Sequence, residues 1–133
     1  YLFEGIRKSK NYKALHLTSE YFDERTCLEL LASCSQVVTV HGCKNGGLEV
    51  LIGGRDKALA ALISEAVEAE GIRARLSGHG FTGTAHTNIC NQGKRKAGVQ
   101  LELTEELRGS PDAVAGVVRA VRRVLMHAAG TIT

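Results

Sequence analysis

Val37-Val38-Thr39-Val40 is an unbroken run of β-branched residues that ends directly in His41-Gly42. A run so uniformly apolar belongs to a strand covered on both faces, which restricts the chain to folds that sandwich a sheet between other layers. Around it, strand-like and helix-like patterns alternate. Glu49-Val50-Leu51-Ile52 reads as a second strand, closed by Gly53-Gly54. From Arg55 to Glu70, Leu59, Leu62, Ile63, Ala66 and Val67 share one helical face, with Gly71 placed to stop the helix. Ile72 to Leu76 alternates apolar residues with arginine, the pattern of a strand near a sheet edge.

Gly98 to Leu103 is again strand-like. After Ser110-Pro111, a helix start, Val114, Val117, Val118, Val121, Val124 and Leu125 form one stripe of a helix from about Asp112 to Ala128. Nearer the beginning, Tyr1 to Ile6 and Ala14 to Thr18 read as strands, and Asp23 stands where the N-cap of a helix from Glu24 to Ser33 belongs. The order implies a single α/β domain over residues 1–133, with a mixed, largely parallel sheet. Ser77 to Ala97 is a long irregular stretch, and a loop of that length in a compact domain is usually functional or mobile.

Charge and cysteine content narrow the partners. A net charge of +3 over 133 residues is mild, and apart from Lys94-Arg95-Lys96 no basic block calls for nucleic acid. No apolar run is long enough to span a bilayer. The 4 cysteines contain no Cys-x-x-Cys pair, which points to free thiols in a reducing cytoplasm rather than a zinc knuckle. The first residue is Tyr, already inside a strand-like pattern, so the chain is expected to begin within the domain, its N-terminal portion missing. Oligomeric state is not written in the sequence.

In open α/β sheets, ligands gather at the carboxyl ends of strands. His41 stands at such an end, and a neutral imidazole there is a good zinc ligand; the alternative is a core histidine bonded to a carbonyl. Glu102 alternates with Val99, Leu101 and Leu103, so with Gln100 it faces the opposite side of its strand. Partial burial there would raise its pKa into the range of a general base; the alternative is a solvated carboxylate on an edge strand. In the long loop, Asn88, Asn91 and Gln92 offer amides suited to holding a peptide-like substrate, or simply an Asn/Gly turn. His79 and His86 lack a recognised ligand spacing, and His16 and His127 read as surface or helix-end residues.

Taken in order, Tyr1-Leu2-Phe3-Glu4-Gly5, Leu15-His16-Leu17-Thr18-Ser19, Phe22-Asp23-Glu24, Val38-Thr39-Val40-His41-Gly42-Cys43, Ile52-Gly53-Gly54, Asn88-Ile89-Cys90-Asn91 and Gly98-Val99-Gln100-Leu101-Glu102-Leu103 resemble the poly-γ-glutamate hydrolase family of bacteria and bacteriophages, some of whose members are labelled phage-related replication proteins. The resemblance runs to about Arg108. It implies a three-layer α/β/α sandwich similar to zinc carboxypeptidases and hydrolysis of γ-glutamyl amide linkages in poly-γ-glutamate. It also implies one zinc ion, held by a His and a Glu of an upstream His-Gly-Gly type motif and by a later His that His41 matches. Glu102 matches the catalytic base, and Asn88 to Gly93 the segment that binds the substrate carboxylate.

Two departures stand out. The upstream metal motif would precede Tyr1, and relatives usually read Asn-Arg-Gly where this chain has Asn91-Gln92-Gly93, leaving Arg55, Arg95 or Arg108 to replace the carboxylate clamp. Two rival readings follow: an amidase acting on a small acyl-glutamate, and a non-catalytic relative binding anions or nucleic acid through Lys94-Arg95-Lys96 and the arginines of the last helix.

Overall fold

The computed structural model describes the backbone of residues 1–130 and the side chains of residues 1–127. Four strands, β1 (Val38–Gly42), β2 (Glu49–Gly54), β3 (Arg73–Arg75) and β4 (Val99–Leu103), form one mixed sheet in the order β1-β4-β2-β3. The β1/β4 and β2/β3 pairs are parallel, and β2/β4 is antiparallel. Helices α1 (Asn11–Leu15), α2 (Arg25–Ala32), α3 (Lys57–Glu68), α4 (Glu105–Arg108) and α5 (Pro111–Gly130) complete the described elements, with a 3-10 turn at Ile89–Asn91. The α/β class and the mixed sheet follow the sequence pattern. None of the described helices is long and apolar enough to cross a membrane.

Alternation along the strands divides the sheet into two chemistries. Val50, Ile52, Val99, Leu101 and Leu103 point to the side covered by α3 and α5, where they meet Leu59, Ile63, Val67, Val117 and Ala120 in one buried core. Burying each of the larger aliphatic side chains contributes roughly 1.5–3 kcal/mol. The buried face of α3 is Leu59, Ala60, Ile63, Ser64 and Val67, rotated from the expected stripe so that Leu62 is exposed and Ser64 buried. Val118 likewise lies outside the buried stripe of α5. Asp56 caps α3 by accepting from Leu59 N at 3.1 Å, and Gly71, at φ 75, closes it.

The opposite face carries Thr39, His41, Gln100 and Glu102 by the same alternation, and the long loop with its 3-10 turn covers it. Gly53 makes this covering possible: a Cβ there would lie 2.6 Å from the Thr82 carbonyl oxygen, so only glycine lets the loop lie this close to the sheet. On this side the loop and its 3-10 turn lie against the sheet, with α2 beside them near the β1 edge.

Several expectations are corrected. Residues 1–6 adopt no regular structure, and Tyr1, Leu2, Phe3 and Ile6 are exposed, because no strand lies beside them to pair. Ala14 to Thr18 is not a strand either. Asn11 bonds both the N–H and the carbonyl of Arg7 at 2.9 Å and starts the short helix α1, which ends before His16. The cap of α2 is Glu24, not Asp23: the longer carboxylate reaches forward to Thr26 N at 3.0 Å and Cys27 N at 2.8 Å. β1 is not covered on both faces but forms one edge of the sheet, with Val40 60% exposed. β4, by contrast, is central and buried at every position, so Glu102 does not stand on a solvated edge strand.

Candidate functional site

The two candidates from opposite ends of the chain meet in register. His41 and Glu102 are Cα partners in the parallel β1/β4 ladder, which puts their side chains on one face of the sheet with backbones about 4.8 Å apart. They sit next to the carboxyl ends of both strands. There a cavity of about 750 Å³ opens, floored by His41, Gln100 and Glu102 and walled by Gly80–Gly83 of the long loop and Leu15–Ser19 of the N-terminal segment.

His41 Nε2 is buried and has no hydrogen-bond partner. Burial, and secondarily the charge of His16 across the cavity, lower the imidazole's pKa, which favours the neutral ring and leaves Nε2 unpartnered. Its strand continues into Gly42, whose missing side chain leaves room for Arg108. A Cβ at Gly42 would lie 2.8 Å from Arg108 Nε, and the guanidinium donates to Leu103 O at 3.2 Å and Cys43 O at 3.1 Å, tying the two strand ends together.

Glu102 is 7% exposed, and desolvation pushes its carboxyl up to about 7. One oxygen, Oε1, accepts from Gln100 Nε2 at 3.3 Å; no other described group donates to the carboxyl. A carboxyl half-ionised near neutrality can both take and return a proton, the requirement for a general base that later serves as acid.

The loop amides divide. Asn88 lines the cavity, donates to Gln100 Oε1 at 3.0 Å and accepts from Cys90 N at 3.0 Å. Asn91 is fully buried behind it: its amide donates to Gly83 O at 2.9 Å and Ala85 O at 2.8 Å and accepts from Gly98 N at 3.1 Å, leaving nothing to offer a ligand. Gln92 donates to the carbonyls of His86 and Asn88, and Arg55 is exposed at the β2–α3 junction; neither lines the cavity.

Three other arginines are engaged elsewhere. Arg95 pairs with buried Asp56 at 2.8 Å, and Arg119 and Arg123 both pair with Glu70. His79 and His86 lie outside the cavity; His16, read from sequence as a surface or helix-end residue, is exposed at the C-cap of α1 and also lines the cavity. Its signal was only its place in the Leu15-His16-Leu17-Thr18-Ser19 segment, since no periodicity points an unpaired stretch inward. Cys43 lines the cavity and Cys90 lies behind it, its thiol pushed up to about 12 by burial.

A bare, neutral imidazole beside a carboxyl is donor chemistry that suits zinc. A catalytic zinc site nevertheless takes three protein ligands, and no group of three His, Cys, Asp or Glu gathers among the described residues. The chemistry of His41 Nε2 suits a single ligand position.

A family model described as poly-γ-glutamate hydrolase matches residues 1–111. The chain belongs to the poly-γ-glutamate hydrolase family. Among curated relatives, YmaC of Bacillus subtilis is 39% identical over 110 residues, covering 81% of this chain and 46% of its own length. YndL of the same organism is 32% identical over 112 residues, covering 83% of this chain and 44% of YndL. The chain thus spans about half the length of these relatives. Two solved structures share its fold. A bacteriophage poly-γ-glutamate hydrolase superposes with a TM-score of 0.80 at 27% identity, over 92% of this chain and 66% of that one. The zinc-free form of YndL superposes at 0.85, also at 27% identity, over 96% and 71%. These neighbours agree with a zinc carboxypeptidase-like α/β fold.

Proposed function

We propose that the intact protein hydrolyses γ-glutamyl amide linkages of poly-γ-glutamate, with Glu102 as general base and His41 as one zinc ligand. The observation that carries this reading is the register pairing of His41 with Glu102 on the floor of one cavity, in a chain of this family. The likeness to a bacteriophage poly-γ-glutamate hydrolase supports the substrate, and the description of YndL as zinc-free supports the metal.

The chemistry a bound zinc supplies is Lewis acidity toward the scissile carbonyl and toward water. Neutral His41 would hold it through Nε2. Glu102 takes a proton from the attacking water as the new C–O bond forms and delivers it to the leaving nitrogen as the C–N bond breaks. The Gly80–Gly83 loop and the Leu15–Ser19 segment border the space in which the reacting amide would lie. Of the residues considered for the substrate, Asn88 alone borders the cavity. Lys44 also borders it and adds the positive charge that a polyanion requires. Four free thiols support a reducing cytoplasm as the compartment.

The test is Glu102→Gln in the intact protein. Hydrolysis should be lost while zinc content, measured by atomic absorption, stays at the wild-type level; His41→Ala should lower zinc content instead. Undiminished hydrolysis by Glu102→Gln would remove Glu102 from the mechanism. Faster turnover of short γ-glutamyl compounds than of polymer would shift the substrate to a small acyl-glutamate. The pairing of Arg95, Arg119 and Arg123 with carboxylates weakens the anion-binding alternative at those three positions.

A further inference from the structure

Behind the cavity floor runs a chain of hydrogen bonds with a fixed direction. The backbone N–H of Cys90 donates to Asn88 Oδ1 at 3.0 Å, Asn88 Nδ2 to Gln100 Oε1 at 3.0 Å, and Gln100 Nε2 to Glu102 Oε1 at 3.3 Å. Each member is buried: Asn88 3% exposed, Gln100 5%, Glu102 7%, Cys90 0%.

A carboxamide carries a donor at one end and an acceptor at the other, so either orientation is open to an isolated Asn or Gln. Here the first link removes that freedom. A backbone N–H can only donate, so Asn88 must turn its oxygen to Cys90 and its NH₂ toward Gln100. Gln100 must then present its oxygen to Asn88 and its NH₂ to Glu102. Reversing any member would set two acceptors or two donors face to face in a buried site, leaving both groups unsatisfied. The polarity of one peptide group in the loop is thereby passed to the carboxyl on the central strand.

We infer that Asn88 and Gln100 are positioning residues that hold Glu102 by Oε1 and leave Oε2 as its single working oxygen. Asn88 then acts through Gln100 rather than by touching substrate, although it borders the cavity. The chain also couples the loop to the floor. The 3-10 turn that supplies the Cys90 N–H follows directly on Asn88, so displacement of that turn would release the Glu102 carboxyl from its fixed orientation. This inference rests on the reading of Glu102 as the base.

Asn88→Asp is the discriminating change. It keeps the size of the side chain and the acceptor for Cys90 N, and it removes the donor to Gln100. The new carboxylate would draw the Gln100 NH₂ toward itself and turn the Gln100 carbonyl toward Glu102. Gln100→Met removes the last link with little change in volume.

In the intact protein, both variants should lower kcat for poly-γ-glutamate at least tenfold with KM within a factor of two of wild type. In ¹⁵N spectra of the metal-free protein, the Gln100 side-chain NH₂ resonances should shift in Glu102→Gln and again in Asn88→Asp. Raised KM with unchanged kcat in either variant would make that residue a substrate contact and overturn the inference. So would Gln100 NH₂ resonances indifferent to both substitutions. Should Glu102→Gln itself leave hydrolysis intact, the catalytic reading fails separately, while the Gln100 resonances still report on the hydrogen-bond chain.

Discussion

Replacing Glu102 by Gln should stabilise the metal-free protein in a way that depends on pH. The substitution preserves shape and an acceptor for Gln100 Nε2 but removes the ionisable proton. Burial lifts the Glu102 carboxyl from 4.5 to about 7. Between those values the folded chain holds a proton that the unfolded chain has released. Because the folded state binds more protons, stability falls as pH rises through this interval, and the loss is complete above about pH 7. A rise of roughly two and a half units, at about 1.4 kcal/mol each, corresponds to about 3 kcal/mol. Glutamine suffers no such loss. Urea denaturation of both proteins in the presence of a chelator, at about pH 4 and about pH 8, isolates this contribution, since every other titrating group is common to both. The stability difference should move by about 3 kcal/mol in favour of the variant on going from the lower to the higher pH. An equal difference at both would show that burial does not perturb the Glu102 carboxyl and would undo the argument for its role.

Gly42→Ala should cost about 1–2 kcal/mol by displacing Arg108 from the carbonyls of Leu103 and Cys43, and in a double-mutant cycle the cost should largely vanish in an Arg108→Ala background. Asn91→Ala should cost about 3 kcal/mol or more in chemical denaturation, because Gly83 O, Ala85 O and Gly98 N all lose their partner in the interior; a cost below about 1 kcal/mol would contradict this. A brief pulse of iodoacetamide on the native protein, read by mass spectrometry, should label half-buried Cys34 well before Cys90, which is fully buried with its thiol pushed up to about 12.

Burial leaves a periodic trace, and what was legible in the sequence followed that trace. Val50, Ile52, Val99 and Leu101 alternate because one face of the sheet meets α3 and α5, and the stripe of α3 was visible to within a small rotation. Glu102 was legible as a carboxylate turned away from that core. Its partner was not: nothing local pairs residue 41 with residue 102, and the register arises only when β4 enters beside β1. Val37 to Val40 misled because β-branched composition reports preference for an extended backbone and not how many neighbours the strand has; β1 is an edge strand. The N-terminal segment misled in the same way, since Leu15 and Leu17 line the cavity without any strand pairing. The long loop was recognisable as irregular, but the closeness that Gly53 permits depends on a contact distant in sequence.

The strand order has a consequence for how the molecule is assembled. β1 and β2 follow one another along the chain yet never touch; β4, made much later, is inserted between them and pairs with both. A nascent chain ending short of Val99 thus has β1 apart from the β2/β3 pair with no strand joining them, and such late, distant pairing is slow and exposes unpaired edges meanwhile. The inserted strand delivers Leu101 to the core and Glu102 to the cavity in the same event. Cooperative folding and completion of the cavity floor are therefore one step, and a premature stop within the loop would remove the Glu102 carboxyl together with the closure of the sheet.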